Sequence, residues 1–463
     1  MTINSAKLSL DPDSREASQH PSDTSQSKLI KPLSPLSLSD FVAGISQLTV
    51  IGVMETTDIV EAIHRDIVLR PLGLLNHRYG KLWQHGISHR VYGAVKGITS
   101  LVGQSLTLGI NQYSRLARRL PAQSLSPQLM SVVNVMNGVM GDHLVTHSNP
   151  LALPMTLYQQ QLDPHDPLQN LQLMPLLSLS NEFTDSALAD SRVTNKISGS
   201  VVIMLHGLCM GHLNWQPENQ HSLGHRILQQ MPDATLLYLN YNTGQRISTN
   251  GQQFAKWLHR LTNQNPDITR INLIGHSMGG LVSRSALYYG AQAHYEWVDK
   301  VNKLITLGTP HHGAVLERIG DFVQQSIAKL PFAGALAKLG DIRSVGIIDL
   351  RHGSVRDEDW QALQSRSVLP DEARHFTPLP EHISCYFLAG SLSEEGDESD
   401  MGHLLGDGLV NIPSALGEHT DEHTLDVPDA HKAVFYEVSH LALLTDERVL
   451  NQTLEWLQES QLG

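Results

Sequence analysis

The 463-residue chain has only two cysteines, Cys209 and Cys385. A pair makes no disulfide framework, and two small buried thiols are expected. No long basic block occurs and the formal net charge is −13. A nucleic-acid partner is therefore not expected, because binding a phosphate backbone needs clustered lysine and arginine. The acidic balance reads as a solubilising surface. Nor does any run reach the roughly 20 uninterrupted apolar residues of a membrane-spanning helix. The nearest, "VYGAVKGITSLVGQSLTLGI" at 91–110, is broken by Lys96, Gln104 and four glycines. "SRLARRL" follows it with three arginines, so peripheral attachment to an anionic lipid surface is the membrane association left open. The opening "MTINSAKLSLDPDSREASQHPSDTSQSKLIKP" lacks the apolar core of a signal peptide, and a cytoplasmic location is expected.

What is present divides the chain into three. Residues 1–36 are polar and turn-rich, the composition of a disordered segment. Residues 37–148 read as a helical region. Ser39 and Asp40 suit a helix start, Ile59, Val60, Ile63 and Ile67 recur at helical spacing, and a second helical stretch runs through 90–118. No internal repeat of fixed period is visible. From 149 to 463 strands alternate with helices. "VVIMLHG" (201–207), "ATLLYLNYN" (234–242), "RINLIGHS" (270–277), "NKLITLGTP" (302–310), "HISCYFLAGS" (382–391) and "KAVFYEVSH" (432–440) are apolar runs ending at turn residues, the form of buried parallel strands. Helical patterns at 251–264 and 278–293 lie between them. The fold class is therefore α/β, a mostly parallel sheet with helices on both faces.

An insertion at about 311–380 is too long for an ordinary connection. Val315, Leu316, Ile319, Phe322, Val323, Ile327 and Leu330 follow a helical period there, as a core-packed extra helix or as a cap over an active site. "SEEGDESD" (393–400) lacks the alternating ligands and fixed glycine of a calcium loop and reads as a solvated loop.

The chemistry centres on "INLIGHSMGGLVSRSAL" (271–287). Gly275-His276-Ser277-Met278-Gly279 is a Gly-x-Ser-x-Gly pentapeptide, a pattern that alone is weak in a chain with 35 glycines. Its context is specific: an apolar strand precedes it and a helix follows. A strand turning sharply into a helix lifts the serine hydroxyl into the open and aims helix N-terminal amides at a developing oxyanion. Ser277 is thus the candidate nucleophile. The backbone N–H groups of Leu208, after the strand ending in His206-Gly207, and of Met278 are the candidate oxyanion donors. His206 is expected to hold its loop by hydrogen bonding rather than to move protons. Asp407, between two glycines in "LLGDGLV", is the candidate acid, and His440, after the last strand, the candidate base. Asp397, Asp400, His423 and His431 compete less well by position. The roles need no metal or organic cofactor, and the adjacent His311 and His312 are expected to be loop residues.

"MLHGL", "LIGHSMGGLVSRSA", "LGTPHHGA" and "GDGLV", in that order, resemble the lipase-type α/β-hydrolases of the GPI inositol-deacylase-like group, over roughly 195–460. The resemblance implies carboxylic-ester hydrolysis, often of lipids, with Ser277, Asp407 and His440 as the catalytic residues. Asn411 stands where relatives often have proline, beyond the acid. The expected substrate is an apolar acyl ester. A thioesterase or acyltransferase would share the triad, and a non-catalytic interaction protein would share only the scaffold.

Overall fold

The computed structural model describes residues 36–37, parts of 40–48, 125–162, 171–178, 197–216, 222–329, 343–365, 375–395, 406–419 and 422–459. The chain divides into residues 1–34 and 35–463, and every described residue lies in the second unit. The helical patterns at 59–67 and 90–118, the arginines after them, and Asp397 and Asp400 lie outside the described residues.

The six apolar runs form β3 (Gly199–Leu205), β4 (Thr235–Asn240), β5 (Ile268–His276), β6 (Val301–Leu307), β7 (Ser384–Ser391) and β8 (Lys432–Tyr436). Their pairings are all parallel. Two further strands, β1 (Thr156–Leu162) and β2 (Leu171–Ser178), extend the sheet antiparallel, in the order β2-β1-β4-β3-β5-β6-β7-β8. Neither is an unbroken apolar run in the sequence. β1 reads TLYQQQL, and its glutamines hide it from a search for apolar runs. Gln160 is nonetheless buried, its side-chain oxygen accepting the Tyr238 hydroxyl of β4. That bond offsets part of the cost of burying the amide, whose Nε2 has no partner among the described residues.

Successive strand residues point to opposite faces, and here both faces are covered. Val201, Ile203 and Leu205 join a layer built on α1 (Pro127–Thr146), α3 (Ile247–Gln264), α4 (Met278–Gln292), α5 (Leu316–Ala328) and α6 (Val345–His352). Val202 and Met204 join the opposite layer with α2 (Leu223–Gln230) and α8 (Glu447–Gln458). α7 (Asp357–Ser365) follows α6.

α1 starts at a Ser126 cap with Pro127 in its first turn, and buries Val132, Val133, Val135, Met136 and Val139. Side chains tie it to the sheet's loops. Asn242 donates to the Gly141 carbonyl at 3.0 Å, and the Ser344 hydroxyl to that of Gly138 at 2.6 Å. The end of the helical region thus packs on the same core as the sheet. Its start uses a different serine from the one expected. Ser37 and Asp40 form a reciprocal cap, the Asp40 N–H donating to Ser37 Oγ (3.2 Å) and the Ser37 N–H to Asp40 Oδ2 (3.0 Å). Among the described residues no helix is long and apolar enough to cross a membrane.

Candidate active site

Ser277 sits between the end of β5 and the start of α4 with φ 53° and ψ −122°, a backbone conformation a side-chain-bearing residue adopts only under constraint. The constraint is visible. The Ser277 N–H donates to the Leu307 carbonyl at 2.9 Å, and the Ser277 carbonyl accepts the Thr309 hydroxyl at 3.0 Å and the Gly280 N–H at 3.1 Å. The elbow is thereby locked to the end of β6. The flanking glycines are needed for close approach. A Cβ on Gly275 would lie 2.5 Å from the Gly280 nitrogen, and one on Gly279 would run into the Leu205 carbonyl oxygen.

Asp407 lies in a turn where Gly406 (φ 53°) and Gly408 (φ 95°) both take left-handed backbone. That turn aims the amides of Leu409 and Val410 at Asp407 Oδ1, at 3.0 and 2.8 Å. Oδ2 is left to accept His440 Nδ1–H, at 2.7 Å. The Asp407 carbonyl also accepts the His440 N–H at 2.9 Å, so the acid holds the histidine by backbone and ring together. Both residues are buried. Gly308, next after β6, brings the assembly to the elbow: a Cβ there would lie 2.9 Å from Asp407 Oδ2 and 3.3 Å from His440 Nδ1. Ser277 Oγ and His440 Nε2 are buried, and neither has a hydrogen-bond partner among the described residues.

The competing histidines are engaged elsewhere. The His423 ring packs against Phe376 and His419, and His431 stacks on Tyr386 with Nδ1 3.2 Å from the Cys385 carbonyl. Leu208 and Met278 are buried next to the elbow's strands, and among the described residues neither backbone N–H meets a protein acceptor. His206 accepts the Tyr241 N–H on Nε2 at 3.3 Å and donates from Nδ1 to the Gly207 carbonyl at 3.0 Å. It stacks on the Tyr241 ring, whose hydroxyl donates to the His206 carbonyl at 2.6 Å. Burial pushes its imidazole down to about 3. A ring so used is a neutral brace for the loop. His311 bridges Thr306 Oγ1 (3.2 Å) and Arg284 Nη1 (3.4 Å) and stacks on Phe387. Among the described residues no group of three or more side chains is arranged to hold a metal.

Cys209 and Cys385 are free, buried thiols, and burial pushes each up to about 12. Asn411 caps the helical turn Ile412–Ala415, accepting the Ser414 N–H at 2.8 Å. The insertion supplies a contact that periodicity could not assign. Along α5, Ile319, Phe322, Val323 and Ile327 are all buried in the core, and the Phe322 ring also meets His440 edge-on at 5.7 Å and 88°. His276, within the Gly-x-Ser-x-Gly pentapeptide, has its ring 4.8 Å from that of His440.

Residues 196–385 match the family model described as a PGAP1-like alpha/beta domain. The match holds Leu208, Ser277 and Met278 and ends within β7, before Asp407 and His440. Among similar solved structures is a mature Bacillus licheniformis lipase, at 20% identity and TM-score 0.35, covering 55% of this chain and 91% of that one. A Pyrococcus furiosus esterase shares 16% identity at TM-score 0.32, covering 56% of this chain and 82% of its own. A thioesterase domain in covalent complex with a fluorophosphonate nocardicin G analogue shares 16% at TM-score 0.32, covering 58% and 96%. The domain is of the α/β-hydrolase type to which esterases and lipases belong.

Proposed function

We propose that this α/β-hydrolase domain cleaves carboxylic esters with apolar acyl groups, using Ser277, His440 and Asp407 through an acyl-enzyme. The observation that carries the reading is the 2.7 Å His440 Nδ1–Asp407 Oδ2 bond, made beside a serine held at positive φ on a strand-to-helix elbow. With Nδ1–H committed to the carboxylate, Nε2 keeps its lone pair and takes the Ser277 proton as Oγ attacks the ester carbonyl. Asp407 stabilises the imidazolium that forms. The Leu208 and Met278 amides receive the oxyanion, and the free N-terminal end of α4 adds its dipole. Collapse of the tetrahedral intermediate breaks the acyl–oxygen bond, and Nε2–H protonates the departing alcohol. Water, deprotonated by the same nitrogen, then hydrolyses the acyl-enzyme.

Phe322 against His440 supports an apolar acyl group, since it walls the reacting atoms with a ring. The domain acts without a cofactor in this reading, from the cytoplasm or from a membrane surface to which it attaches peripherally. The test is fluorophosphonate labelling and nitrophenyl-ester turnover of the wild type beside Ser277→Ala. The variant should lose about 10⁴- to 10⁶-fold in turnover and all labelling. A variant keeping a tenth of the wild-type rate would remove Ser277 from the role. Parallel acyl-CoA and nitrophenyl-ester panels separate ester from thioester cleavage.

A further inference from the structure

We propose that His276 is a positioning residue that ties the backbone of the base to the backbone of the nucleophile. His276 is the last residue of β5 and is joined directly to Ser277. Its Nε2 lies 3.0 Å from the backbone carbonyl oxygen of His440, 164 residues away in the chain. A carbonyl only accepts, so Nε2 carries the proton and donates. His440 is then held at three points: ring and N–H by Asp407, and carbonyl by His276. Two of these contacts fix the base relative to its acid. Only the third, among the three, fixes it relative to the serine whose proton it must take.

The location favours a hydrogen-bonding role over simple filling. Along β5 the side chains alternate, and Ile274 lies in the layer that also holds Trp215 and Leu443. His276 shares that side, its fully buried ring meeting Trp215 edge-on at 6.4 Å. An apolar side chain would suit such surroundings. An imidazole there carries a polar cost, and its Nδ1 has no hydrogen-bond partner among the described residues. The bond to His440 offsets part of that cost. Burial, reinforced by the adjacent His440 ring, holds His276 well below the usual histidine range. It therefore stays neutral, with Nε2–H as donor, while His440 gains and loses its proton.

The inference rests on the serine-hydrolase reading, and its test separates the two. His276→Gln carries an amide donor at about the position of the histidine Nε2. His276→Asn carries one at about that of Nδ1, out of reach of the carbonyl. Both are polar and both remove the ring. For each, the full-length protein is assayed for fluorophosphonate labelling rate, for kcat and KM on a nitrophenyl ester, and for Tm. A displacement near 1 Å at a reacting group costs on the order of 100-fold. His276→Asn should therefore lose about 10- to 100-fold in both kcat and labelling rate, with KM within twofold. His276→Gln should recover to within about fivefold of wild type at a similar Tm. Equal losses in the two variants, or losses that follow Tm alone, would reduce His276 to packing and overturn the proposal. So would a folded His276→Asn that labels at the wild-type rate. A wild type that does not label at all takes down the serine-hydrolase reading and this inference with it.

Discussion

Replacing Asp407 by asparagine gives a variant whose two amide orientations have opposite consequences. In the native turn Oδ1 accepts two backbone N–H groups, from Leu409 and Val410, and Oδ2 accepts His440 Nδ1–H. Asparagine has one oxygen and one NH₂. If the oxygen stays under the two amides, the NH₂ faces His440, whose Nδ1 must become the acceptor. The imidazole proton then moves to Nε2, and the ring cannot take a proton from Ser277. If the amide flips, His440 keeps its working tautomer, but the NH₂ confronts two buried N–H donors. Each donor left unsatisfied costs about 1–3 kcal/mol, so the first orientation wins by at least about 2 kcal/mol. That leaves at most a few per cent of molecules in the working tautomer, and those have lost the negative charge opposite the imidazolium. The combined expectation is a loss of about 10³- to 10⁴-fold in kcat, with Tm little changed because the turn keeps its hydrogen bonds. Nitrophenyl-ester turnover, fluorophosphonate labelling and a thermal melt measure the three quantities. An Asp407→Asn protein within tenfold of wild-type kcat would refute the assignment of the acid.

Phe322→Ala should lower the ratio of kcat/KM for octanoyl over acetyl esters by at least about fivefold, since a single methylene in an apolar pocket is worth about 1–3 kcal/mol; an unchanged ratio in a folded variant would make the ring ordinary packing. Stability should fall on acidification below the ordinary histidine value of 6.5, because burial holds His206 at about 3, His212 at about 4, and His276 well below its usual range. These groups are neutral when folded and charge on unfolding, so the unfolded state binds more protons and stability drops as pH falls. Asp349 works the other way, because burial raises it to about 7 against the pull of its Arg246 partner. The three histidines bound the slope at about 4 kcal/mol per pH unit near pH 5, and Asp349 lowers it. Urea titrations at pH 7.5, 6 and 5 check it, and a flat profile would contradict the burial argument.

The parts of this protein set by its sequence are those with a local code. Six mainly apolar runs are legible as parallel strands because most of their residues are buried on both faces, those of β8 only in part, and Gly275 and Gly279 mark the elbow because no larger residue fits there. What tertiary structure decided is every contact between distant segments. β1 was hidden because Gln160 finds its partner, Tyr238, only once β1 and β4 pair. Position after the last strand favours His440 over His423 and His431 in sequence, but only the fold shows their rings packed against Phe376 and Tyr386 while that of His440 meets Asp407. The stripe on α5 predicts a helix and a buried face, yet only packing sets the Phe322 ring against His440 while it shares the core with Ile327. Hydrophobic period and backbone strain act within a few residues and can be read along the chain. Which loops meet at one edge of the sheet follows from the strand order, in which β5 stands between β3 and β6. No repeat within a single segment encodes that order.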